Sequence, residues 1–83
     1  MTIPDKSFGE MLKAHRIRSG VSQRAMANIL GVDNSFLCLV EKGKRFPSTE
    51  MMKTFAQRLG CRAVVTFFRE TNGDPEIIGS GLL

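Results

Sequence analysis

Residues 22–43, "SQRAMANILGVDNSFLCLVEKG", decide the fold. Ser22 is placed to cap a helix whose Met26, Ala27 and Leu30 form one inward stripe, and Gly31 then permits a left-handed turn. Asp33 sits where a second cap belongs, ahead of a helix that runs to about Lys42 and stops at Gly43. The stretch therefore reads as two short helices around a tight turn. Its second half raises a difficulty, because Phe36 to Val40 is an unbroken apolar run. A helix turns by about 100° per residue, so with Leu37 at zero Val40 lies near 300° and the buried direction falls between them. Phe36 and Glu41 then flank the core, while Ser35, Cys38, Leu39 and Lys42 point outward and Asn34 stands near the helix start. Packing accounts for most of the run, which leaves Leu39 and the Cys38 thiol as apolar groups on the outer side.

Outward from this pair, Ser7 followed by Glu10 is a capping-box pattern, and Phe8, Leu12 and His15 share one side of a helix that Gly20 ends. After the basic loop "KGKRFPS", Ser48 caps a fourth helix in which Met52, Phe55, Ala56 and Leu59 share a face and Gly60 closes the end. The character then changes: "RAVVTFFRE" places β-branched and aromatic residues at 64–68, the pattern of a strand. Asn72-Gly73 offers a turn that would let Ile77 and Ile78 pair with it, Pro75 limits such a return strand to an edge, and the closing "GSGLL" reads as loose. The expectation is a mainly α fold: a four- to five-helix bundle over residues 1–61, then a C-terminal strand or hairpin over 62–83 that serves dimerisation.

Composition narrows the function. At 83 residues and 42% apolar content the chain supports one small core, near the size where pairing helps stability. The net charge is +4, but residues 6–62 alone carry +7 and the last twenty-one carry −2, so the helical body suits a polyanion. No segment approaches the roughly 20 apolar residues of a membrane span, and the N-terminus lacks a signal-peptide pattern, so a soluble cytoplasmic protein without a membrane partner is expected. Cys38 and Cys61 lack metal-ligand spacing and read as buried or half-buried free thiols; no metal and no cofactor is expected. His15 reads as a packed, hydrogen-bonded side chain, and no nucleophile, base or phosphate-binding glycine loop accompanies it, which argues against an enzyme.

Ala27 falls where two helices approach closely, Gly31 in the turn, and Leu37 and Val40 on the inner face of the second helix. With "SQRAMANILGV", "VEKGKRFPS" and the closing "RLG", this resembles the phage-repressor and Cro family of helix-turn-helix proteins, the XRE type, over roughly residues 8–60. The resemblance implies a repressor-like fold, double-stranded DNA as partner, and phosphate contacts from the start of the second helix and the basic loop: Ser22, Gln23, Arg24, Lys42, Lys44 and Arg45. It implies that the third helix enters the major groove, where the outward Asn34, Ser35, Cys38 and Leu39 are the candidates for base contacts; few side chains there can read guanine, so an A·T-leaning core site is expected. Arg16 and Glu41 match positions that form a structural ion pair in that family.

A strand that follows four helices needs a partner for its backbone. Val64, Val65, Thr66, Phe67 and Phe68 are the candidate dimer interface, with pairing to the same strand of a second subunit favoured, in an intersubunit sheet that the hairpin can extend. Some antitoxins of the family resemble this plan. Two functions follow: a homodimeric repressor on a palindromic operator, or an antitoxin that holds a toxin protein through "GDPEIIGSGLL" and also represses its own operon.

Overall fold

The computed structural model describes residues 8–70 and 72–83. Four helices and two strands follow in the order α1 (Phe8–Arg18), α2 (Gln23–Leu30), α3 (Asn34–Glu41), α4 (Thr49–Arg58), β1 (Val64–Arg69) and β2 (Glu76–Leu82). The proposed Ser7 cap lies outside the described residues. Elsewhere the caps behave as short polar side chains should: the Ser22 hydroxyl accepts from the Ala25 N–H at 3.1 Å, and the Ser48 hydroxyl accepts from the Met51 N–H at 3.2 Å. Asp33 occupies the cap position of α3, yet its side chain makes no capping bond.

The core is built from one or two positions per turn of each helix. Leu12, Met26, Ala27, Leu30, Leu37, Val40 and Phe55 are buried together, with Phe8, Val21, Val32, Phe36, Met51 and Leu59 packed around them. On α4 it is thus Met51, in place of Met52, that joins Phe55 and Leu59 against the core. Gly31 adopts φ +75°, a conformation that side chains with a Cβ resist, and so swings the chain from α2 into α3. Gly9 has a different role. A Cβ there would collide with the Val40 carbonyl, so the bare backbone of α1 lies directly against α3.

The C-terminal segment corrects one expectation. Residues 79–82 belong to β2, which pairs antiparallel with β1 in the same chain: Val64 faces Leu82, Val65 Gly81, Thr66 Ser80 and Phe67 Gly79. The Leu83 N–H donates to the Ala63 carbonyl at 3.0 Å and closes the base of the ladder. The glycines that made "GSGLL" read as loose still supply backbone donors and acceptors, and the Thr66 and Ser80 hydroxyls, 2.9 Å apart, join the strands. One edge of β1 is therefore partnered by the hairpin, and among the described residues no further strand lies along its other edge. Ile78 is an extra residue that bulges between the Phe67 and Phe68 rungs. Every residue of both strands is exposed, and the molecule is elongated, 41 × 21 × 21 Å.

Candidate nucleic-acid interface

The outer face of α3 is open. Asn34, Ser35, Leu39 and Lys42 are exposed, Cys38 and Phe36 are half-buried, and Leu37, Val40 and Glu41 are buried. Leu39, at 37% exposed, is the large apolar side chain of that face. Cys61, expected to be buried or half-buried, is exposed, because it follows the Gly60 turn on the way out of the bundle. The half-buried state of Cys38 agrees with its place at the edge of the helical stripe.

Two features hold this face in position. The first is a charged cluster at the inner end of α3. The Arg16 Nε–H donates to Glu41 Oε2 at 2.7 Å and its Nη2–H to Oε1 at 3.1 Å, a two-pronged contact, while Nη1–H donates to the Val21 carbonyl at 3.1 Å. Gln23 Nε2 adds a donor to Glu41 Oε1 at 3.3 Å. The cluster joins α1, the start of α2 and the end of α3. The hydrogen bond to Glu41 pushes the Arg16 pKa up against the opposing effect of burial, so the guanidinium stays charged. Gln23, a candidate phosphate contact, thus spends one side-chain donor within the protein. No local signal in the sequence marks this bond, since the two residues are eighteen apart and only the fold brings them together.

The second feature is the attachment of the basic loop. The Lys44 and Arg45 N–H groups both donate to the Leu39 carbonyl, at 2.9 and 3.3 Å, and the Gly43 N–H donates to the Val40 carbonyl at 3.0 Å. The Leu39 and Val40 carbonyls near the end of α3 are thereby satisfied, and the loop is tied beside the helix. Lys42, Lys44 and Arg45 are all exposed there. Pro47 is buried, and Phe46, 70% exposed, sets its ring 5.9 Å from that of Phe8. Ser22 and Arg24 are exposed at the start of α2, where the first backbone N–H groups of a helix lack partners within it.

Among the described residues no group of three or more His, Cys, Asp or Glu side chains is placed to hold a metal ion, and no helix is long and apolar enough to cross a membrane. His15 is half-buried, and its carbonyl accepts from the Ser19 hydroxyl at 2.9 Å.

Two helices joined at a left-handed glycine, the second open on its outer side and flanked by cations, define a helix-turn-helix unit. The sequence profile of the helix-turn-helix domain matches residues 7–66, and the chain belongs to that family. It is also similar to two uncharacterized HTH-type transcriptional regulators from two strains of Mycobacterium tuberculosis, each 34% identical over 61 residues. That match covers 74% of this chain and 44% of each relative, so the chain spans less than half the length of the curated relatives it matches. No solved structure matches it.

Proposed function

We propose that the chain is a sequence-specific double-stranded-DNA-binding transcriptional regulator of the phage-repressor and Cro type, acting in the cytoplasm as a homodimeric repressor that occupies a promoter. The observation that carries this reading is the open outer face of α3, with the exposed cations of the loop tied to its end and the start of α2 held at that same end by the Gln23–Glu41 bond. In this reading α3 enters the major groove, where Asn34 pairs with an adenine edge, Ser35 reaches a base or phosphate, and Leu39 with Cys38 touches thymine methyl groups. Ser22, Gln23 and Arg24 bind a phosphate at the helix start, and Lys42, Lys44 and Arg45 bind the backbone beyond it. Residues 1–61 carry this activity and residues 62–83, with Val64 to Phe68, carry dimerisation. A two-fold dimer sets its α3 helices about 34 Å apart, one turn of DNA, and calls for a palindromic operator.

A salt titration of binding to the DNA upstream of the protein's own gene tests it. With Arg24, Lys42, Lys44 and Arg45 on phosphates, log K should fall against log salt with a slope of about −3 to −4 per bound protomer. Equal affinity for that DNA and for random duplex in dilute salt would defeat the reading. The antitoxin reading draws support from Ile77, Ile78 and Leu82, which are exposed in the tail. Truncation after Glu70 separates the two: half-site DNA binding survives in both, and neutralisation of a toxin encoded beside it is lost only if the tail holds that toxin.

A further inference from the structure

Side chains paired across an antiparallel ladder point to the same side, so the register sorts the hairpin into two unlike faces. One face carries Val64 with Leu82, Thr66 with Ser80 and Phe68 with Ile77, so both strands bear bulk. The other carries Val65 with Gly81, Phe67 with Gly79 and Arg69 with Glu76. In each of these three rows the bulky or cationic member stands on β1 and the small or anionic member on β2. A Cβ on Gly79 or Gly81 would meet no heavy atom within 4 Å, so the glycines leave an open furrow beside a ridge made by Val65 and Phe67, which are 37% and 69% exposed.

We infer that this furrowed face is a self-complementary docking surface for a second copy of the chain, an inference that rests on the dimer reading above and assigns its interface. A two-fold axis parallel to the strands lays β1 of one copy over β2 of the other. Phe67 then stands over Gly79, Val65 over Gly81, and Arg69 over Glu76, so that bulk meets space and cation meets anion in every row. Within one copy Arg69 and Glu76 are 3.7 Å apart and both well exposed, which leaves them free to share a four-charge cluster across the axis. The same rotation applied to the opposite face would set Val64 and Phe68 against Leu82 and Ile77, bulk on bulk. An axis running across the strands would stack β1 on β1 and leave the furrow empty.

Size sets the strength. A six-residue strand is about 20 Å long and a two-stranded ribbon about 10 Å wide, so the face offers a footprint on the order of 200 Å² per copy, against about 800 Å² per partner in a standard stable interface. The dimer is accordingly weak in free solution and concentration-dependent, and two copies held on one DNA site reinforce it. A lone two-stranded hairpin is marginal in water, so docking also steadies the hairpin itself.

Sedimentation equilibrium of the full chain without DNA tests this, over about 5 to 500 µM, the range suited to a weak interface. The deciding variant is Gly79→Val with Gly81→Val, which puts bulk into the furrow at positions where an added Cβ meets no heavy atom within 4 Å beyond its chain neighbours, and which favours the strand by propensity; circular dichroism checks that it folds. Expected results are a wild-type dimer, a dissociation constant raised about tenfold or more by the furrow-filling pair and by Phe67→Ser, and a change of about twofold or less for Phe68→Ser on the other face. If the furrow-filled chain dimerises as wild type does, or if Phe68→Ser is the disruptive change, the face assignment is overturned while the dimer reading stands. A wild-type chain that stays monomeric throughout overturns both. Half-site DNA binding, measured on the same variants, should be unchanged and keeps the α3 reading separate.

Discussion

Replacing Arg16 by Met keeps the length and much of the apolar stem of the side chain but removes both charged hydrogen bonds to Glu41. The Glu41 side chain is 3% exposed, so it cannot turn to water, and its remaining donor is Gln23 at 3.3 Å. Stranding a buried carboxylate costs about 3–5 kcal/mol, and the retained amide contact places this case near 3. For a domain of this size that lowers Tm by about 12–24 °C. Glu41→Leu should cost less, about 1–3 kcal/mol, because Arg16 is 14% exposed and keeps its bond to the Val21 carbonyl. The two changes together leave no buried charge unpaired, so their joint loss should fall below the sum of the single losses by a coupling of about 2–3 kcal/mol. Urea and thermal denaturation of the four proteins measure all of this. An Arg16→Met variant within about 0.5 kcal/mol of wild type, or strictly additive single losses, would refute the reasoning.

Gly9→Ala, ordinarily a gain for a helix, should cost about 1–3 kcal/mol by denaturation, because the added methyl meets the Val40 carbonyl. Asn34→Ala should lose about 1–3 kcal/mol of binding at a single operator position, read by comparing matched and substituted sites; an equal loss on every sequence would make Asn34 a backbone contact. Lys44→Ala should weaken all sequences alike and flatten the salt dependence by about one unit, measured by anisotropy across a salt series.

The helical body is legible in the sequence because its signals are local. Ser22 and Ser48 stand where two helices start, Gly31 and Gly60 where they end, and the angular spacing of Leu37 and Val40 is enough to turn Ser35 and Leu39 outward. What escaped notice depends on partners distant in the chain. Gln23 meets Glu41 only once α2 and α3 cross, and a glycine inside α1 makes sense only against the Val40 carbonyl, although its poor helix propensity was a signal. Asp33 illustrates the limit of a positional rule: the backbone adopts the cap conformation while the carboxylate makes no bond to α3. At the C-terminus, composition misled, since glycine weakens a strand through its missing side chain and leaves its ladder bonds intact. The outward residues of α3 were legible from helix geometry; which of them meets a base depends on docking, a property of the complex.

The bonds from the Lys44 and Arg45 amides to the Leu39 carbonyl have a consequence for how such a domain can diversify. The residue whose side chain faces outward from α3 anchors the cationic loop through its main chain, and any amino acid except a helix breaker offers that same oxygen. On the proposed DNA-binding reading, a lineage can therefore rewrite position 39, and with it the preferred DNA letters, while the grip on the sugar-phosphate rails keeps its alignment.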